Sequence, residues 1–174
     1  MPSIQPVAAS WLIDFVNEFS PRARVAAGEE NTPYPDVWKT ASAPPRPAAS
    51  NRDLAIVADR LWQVFAGTDQ KRASSLNALI KTTALSPRTD EEGELRWTTA
   101  RRSGWERLLA ACTATLLTTV TSIGWDRFGI CAGDRCQDVY ADLDGRGSRR
   151  YCSTTCLNRA RVRAYRQRQT SRHR

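Results

Sequence analysis

Four cysteines, Cys131, Cys136, Cys152 and Cys156, are the residues of this chain whose type and spacing most directly imply chemistry. They read Cys-x4-Cys, fifteen residues, then Cys-x3-Cys. Two close pairs of thiolates joined by a short spacer supply the four soft ligands of a tetrahedral ion. One structural zinc per chain is therefore expected, with no ligand position left open. The alternatives are two disulfides, which need an oxidising compartment, and unrelated buried cysteines, with iron a minor alternative to zinc in the site itself. The opening Met1-Pro2-Ser3-Ile4-Gln5 has no basic stretch followed by an apolar run. No run of about 18 apolar residues occurs either. A cytoplasmic protein with no membrane contact is the expectation.

The same region holds all of the net charge. Residues 127–174 carry 12 arginines, no lysine and 4 aspartates, an excess of +8, which is the value for the whole chain. Residues 1–126 are neutral, with 14 basic and 14 acidic side chains. Four thiolates with one zinc ion contribute −2, so the loaded module is nearer +6. From Ser153 the sequence predicts a helix with Ser153 as its N-cap and Cys156 in its first turn. On it, Arg159, Arg163 and Arg166 share one face at i, i+4 and i+7, and Arg161 and Arg168 share another. Arg149 and Arg150 precede Cys152 and extend the patch, and Asn158 is a polar neighbour. Leu157, Ala160 and Ala164 are expected to pack back on the module. Guanidinium groups bind phosphates bidentately and read guanine edges, so nucleic acid is the partner this pattern favours. An acidic protein partner or a merely solvated helix are the alternatives. RNA is a further possibility, for which the module offers only Tyr140, Tyr151 and Tyr165 as stacking platforms. His173, the single histidine, reads as part of a basic tail, 170–174, rather than a ligand.

Between the cysteine pairs, Val139, Ala141 and Leu143 alternate with polar positions as a short strand does. Asp144-Gly145-Arg146-Gly147 reads as a turn, with a return strand through Ser148–Tyr151. A knuckle, a hairpin and then a helix make the module, 127–169, a small treble-clef-like zinc finger.

The elements before it read as a mainly α domain, 1–126. Trp11, Leu12, Phe15, Val16 and Phe19 form the inner stripe of a helix over 7–19. Residues 20–50, with six prolines, read as an irregular cover anchored by Tyr34, Val37 and Trp38. Ser50 or Asn51 caps a helix over 51–66, and Thr68 caps one over 69–84, ended by Pro87. An acidic turn and a short extended segment follow over 88–100. Ser103 caps a long helix over 104–123, with Trp105, Leu108, Leu109, Cys112, Leu116, Val120 and Ile123 in its stripe and the other side rich in threonine, which a helix tolerates rather than favours. Cys112 reads as a small core residue. Asp14 and Asn17, three apart beside the first apolar stripe, admit two readings: a polar spot in an effector pocket, or a tie to the 20–50 loop. Asn77 admits the same pair. Catalysis is not expected, because the histidine is in the tail and the clustered cysteines form a closed site.

Cys131-Ala-Gly-Asp-Arg-Cys136, Val139-Tyr140-Ala141-Asp142 and Ser148-Arg149-Arg150-Tyr151-Cys152-Ser153 resemble the finger of bacterial CGNR zinc-finger proteins. That family is named for a Cys-Gly-Asn-Arg tetrapeptide, which here reads Cys156-Leu157-Asn158-Arg159. Trp11-Leu12-Ile13-Asp14-Phe15-Val16-Asn17 is similar to the opening motif of the ABATE domain that precedes this finger, and Leu76-Asn77-Ala78-Leu79 and the 104–123 helix also fit. The resemblance implies a stress-associated transcription regulator, nucleoid-associated, that binds DNA through the finger. It leaves the oligomeric state, the target sequence and any small-molecule effector open.

Overall fold

The computed structural model describes residues 2–144 and 149–172. Strand β1 (Ser3–Ile4) leads into α1 (Ala9–Phe19), α2 (Pro21–Ala27), α3 (Asn51–Phe65) and α4 (Asp69–Thr83). Strands β2 (Ser86–Thr89) and β3 (Leu95–Thr98), then α5 (Gly104–Ile123), complete the first part. Strands β4 (Phe128–Ile130) and β5 (Val139–Ala141) and helix α6 (Thr154–Arg172) belong to the cysteine region. The mainly helical expectation holds. Among the described residues no helix is long and apolar enough to cross a membrane.

Each of the long helices begins where its cap residue dictates. Ser50 accepts from the Asp53 backbone while the Asp53 carboxylate accepts from Ser50, a reciprocal box. Thr68 and Ser103 cap α4 and α5 more simply, their hydroxyls accepting from the backbone N–H of Lys71 and Glu106. Helix α1 buries Trp11, Leu12, Phe15, Val16 and Phe19. The rings of Trp11, Phe15 and Phe19 stack along the helix, and Trp38 meets all three edge-on. The Trp11 indole donates to the Val37 carbonyl at 2.9 Å. The 20–50 cover is thus anchored where its aromatics predict.

That stretch is not irregular throughout. Pro21 occupies the first turn of α2, because a proline's fixed φ and missing N–H suit a helix start. Pro87 does not end α4 either. The helix stops at Ala84, in the left-handed region at φ 49°, and Pro87 lies in β2 opposite Trp97. Residues 3–4, assigned no strand from the sequence, pair with β3, giving sheet order β1-β3-β2. The threonine side of α5 is not a solvent face in its middle. Thr113 and Thr115 are buried, with hydroxyls donating to the Leu109 carbonyl at 2.7 Å and the Val7 carbonyl at 2.8 Å. Bonding back along the helix or across to the N-terminal segment satisfies each hydroxyl, so the core accepts it.

The cysteine region departs most from expectation. Strand β5 does form at 139–141, but it pairs antiparallel with β4, with Phe128 opposite Ala141 and Ile130 opposite Val139. The hairpin encloses the first cysteine pair instead of following it. Arg149 to Tyr151 form no strand, and residues 145–148, most of the expected turn, lie outside the described residues. Burial explains the choice of partner. Phe128, Val139 and Ala141 are buried in the same apolar cluster as α1, α3 and α5. The Phe128 ring lies 5.5 Å from that of Phe65. A Cβ at Gly129 would come within 2.8 Å of the Tyr140 hydroxyl, so a larger residue there would force that ring to move.

Candidate metal centre and basic helix

The four thiols arrive from two places. Cys131 leaves β4, and Cys136 closes the knuckle, its N–H donating to the Gly133 carbonyl at 3.2 Å. Cys152 and Cys156 straddle the start of α6, where the Ser153 hydroxyl accepts from the Cys156 N–H at 3.3 Å. The two halves are joined by the Ala132 N–H donating to the Arg150 carbonyl at 2.8 Å. All four sulfurs lie within 4.8 Å of one another. Cys136 Sγ is 3.7 Å from Cys152 Sγ, which is 3.6 Å from Cys156 Sγ. Zinc–sulfur bonds of about 2.3 Å at tetrahedral angles set neighbouring sulfurs about 3.8 Å apart. The donor set therefore fits one structural zinc held by Cys131, Cys136, Cys152 and Cys156.

The electrostatics agree with a metal requirement. Burial opposes ionisation of Cys131, but N–H groups of Cys152 and Gly133, each 3.3 Å from its sulfur, hold the thiol below its ordinary range. Burial pushes Cys136 up to about 12, with the charge of Asp138 adding to it. Burial and Asp138 also push Cys152 up. Burial thus opposes the thiolate forms of Cys136 and Cys152, and a bound Zn²⁺ would favour them. Gly133 sits where a Cβ would press on Cys131 Sγ and Cys156 Sγ at 3.3 Å, so a side chain there would crowd the sulfurs.

The centre is bonded to the helical part by side chains from α1 and α3. Asn17 acts as a peptide mimic toward β5. Its Nδ2 donates to the Val139 carbonyl at 3.1 Å, and its Oδ1 accepts from the Val139 N–H at 2.7 Å. The Trp62 indole donates to the Gln137 carbonyl at 2.7 Å, just beyond Cys136. Asn17 thus ties α1 to the finger, not to the 20–50 loop. Asp14 and Asn77 are exposed, Asn77 on the outer side of α4, and Asn17 is taken up by Val139. Trp62 was indicated by nothing in the sequence beyond its place in an apolar helix.

Beyond its first turns α6 is exposed along most of its length. Leu157 and Ala160 are half-buried against the module, but Ala164 is exposed, because the helix has already run past its support. Leu157 donates its N–H to the Ser153 carbonyl at 3.1 Å, ordinary helical backbone that a side chain tolerates. Arg159, Arg161, Arg163, Arg166 and Arg168 are all exposed. Arg163 meets Asp134 of the knuckle at 2.8 Å. Among the described residues Arg159, Arg161, Arg166 and Arg168 form no ion pair. Arg149 is otherwise engaged: it donates to the carbonyls of Tyr151 at 3.2 Å and Cys152 at 2.6 Å. Arg150 and Asn158 are exposed. His173 lies outside the described residues.

Comparison with known families places residues 127–169 in a match to the CGNR zinc finger model. The matched span begins one residue before β4 and contains all four cysteines. Residues 1–126 lie outside the match. A search of curated proteins finds no match to the chain.

Proposed function

We propose that this protein is a non-catalytic, DNA-binding regulator of transcription in which α6 makes the contacts to duplex DNA. The observation that carries the reading is a row of exposed arginines of which, among the described residues, only Arg163 has an acidic partner, on a helix anchored at its N-terminus by a metal centre. Such a helix presents a fixed comb of guanidinium forks, and duplex phosphates are the polyanion whose spacing and rigidity suit it. A helix of about 10–12 Å diameter also enters the major groove, which is about 12 Å wide. Residues 1–126 are proposed to be an ABATE-like domain whose role is to respond to an effector, and the finger a treble-clef-like module. The protein is proposed to work in the cytoplasm, on the nucleoid.

An RNA role draws less support, since Tyr165 is exposed while Tyr140 and Tyr151 are half-buried. The test uses the zinc-loaded full chain, titrated against duplex DNA, single-stranded RNA and an acidic peptide at matched ionic strength. Duplex DNA is expected to bind tightest. Reversing Arg159, Arg163 and Arg166 to Glu is expected to abolish that binding with zinc retained. Preferential capture of the acidic peptide would replace this reading with that of a zinc-stabilised adaptor.

A further inference from the structure

One face of α6 is not arginine at all. Asn158, Val162, Tyr165 and Gln169 follow at i, i+4, i+7 and i+11, so they line a single strip along the helix. Val162 and Tyr165 are 50% and 58% exposed. Asn158 is exposed, and Gln169 Nε2 donates to the Tyr165 hydroxyl at 3.0 Å. At 3.6 residues per turn, Arg159, Arg163 and Arg166 flank the strip on one side and Arg161 and Arg168 on the other. Leu157 and Ala160, the half-buried positions, fall at the back.

We infer that this uncharged strip reads base edges in the major groove, while the two arginine rows hold the phosphates of the two strands. The inference rests on the DNA reading above and assigns its specificity to side chains other than arginine. Each member of the strip has chemistry for the task. An amide such as Asn158 or Gln169 pairs bidentately with the N6 and N7 of adenine, and an apolar group such as Val162 contacts the thymine methyl. Val162 is the telling residue. It is an aliphatic side chain half in water, in the middle of a polycationic helix, where it is open to a ligand. The Gln169–Tyr165 bond holds both groups in place before any ligand arrives. The strip from 158 to 169 is about 16 Å long at 1.5 Å per residue. That spans about five base pairs at 3.4 Å each. A preferred site with an A·T-containing core follows, in place of the guanine contacts expected of arginine alone.

The experiment selects duplexes from a random pool with the zinc-loaded full chain. Binding of the best duplex and its single-base changes is then measured for the wild type and for Asn158→Ala, Val162→Ala, Gln169→Ala, Arg166→Ala and Arg168→Ala. All these positions lie outside the ligand set, so zinc content serves as the folding control. An A·T-containing core is expected. Asn158→Ala and Gln169→Ala should each relax preference at one position, by roughly 5–100-fold, with an unchanged salt slope. Replacing thymine by uracil, which lacks the methyl, should weaken the wild type and leave Val162→Ala indifferent. Arg166→Ala and Arg168→Ala should weaken every duplex alike and lower the salt slope by about one each. Base preference unmoved by the three strip variants, or guanine preference lost on arginine replacement, overturns the inference and leaves the DNA reading standing. Failure to bind any duplex defeats the DNA reading and the inference with it.

Discussion

At the scale of single residues, the four zinc ligands were fully legible in the sequence, because metal chemistry fixes residue type and spacing together. The role of Asn17 was not. A lone amide beside an apolar stripe says that something polar must meet it, and only tertiary packing reveals the partner as the Val139 backbone. Asn17→Ala would leave the Val139 N–H and carbonyl unmet. A cost of about 2–3 kcal/mol is expected. For a chain of this size that lowers the melting temperature by roughly 5–10 °C, measurable by calorimetry. Glu18, beside it, gives a pH prediction. Burial raises its carboxyl above the ordinary range, and Glu29 and Asp138 add repulsion that Arg24 partly offsets. The ionised form is therefore disfavoured in the fold, so its contribution falls as pH rises above the unfolded value of 4.5. Glu18→Gln should be modestly more stable than the wild type at pH 7. The two should converge in acid, where the wild-type carboxyl is protonated folded and unfolded alike. Equal melting curves at both pH values would contradict this. Cys112, fully buried with its thiol pushed up by burial, should be inert in the native protein. A thiol reagent should find no reactive sulfur in the zinc-loaded chain, four after chelation, and the fifth only on unfolding.

At the scale of elements, legibility followed locality. Helices α3, α4 and α5 were readable because their caps and their apolar periodicity both lie within about twenty residues. Strand pairing was not. The strand signal at 139–141 was present in the sequence, but the choice between residues 128–130 and 148–151 as its partner depends on which of them the helices bury. Phe128 decides it, being 3% exposed beside Phe65. The β1 segment met β3 from the far end of the chain for the same reason, since Ile4 and Trp97 share a second small apolar cluster with Ala110 and Ala114. Helix α2 was missed because proline terminates and initiates helices by one and the same property. Phe128→Ala tests this view of the hairpin. It should cost about 3–5 kcal/mol, the usual range for emptying a buried aromatic site. It should also speed zinc loss to a chelator, because the knuckle hangs from β4. Unchanged zinc exchange in that variant would mean that the centre holds its shape without the hairpin.

At the scale of the whole molecule, the finger is an extension of the helical core and not an appended bead. One apolar cluster runs from α1 and α3 into β4 and β5, and Asn17 and Trp62 cross the boundary with hydrogen bonds. Removing zinc should therefore lower the stability of the helical part as well, seen as a single shifted transition in the full chain. Two transitions, with only one moved by chelation, would contradict that coupling. The same continuity gives α6 its fixed orientation: the helix is exposed along its arginine rows yet rooted in a centre that the core supports. The measurement that bears most directly on this account is the salt dependence of duplex DNA binding by the zinc-loaded full chain. With Arg159, Arg161, Arg163, Arg166 and Arg168 on phosphates, log K should fall against log salt with a slope between roughly −3 and −5. Chelation should abolish the binding. A flat salt dependence, or equal binding with and without zinc, would contradict the claim that the metal-rooted arginine helix is the DNA-binding element.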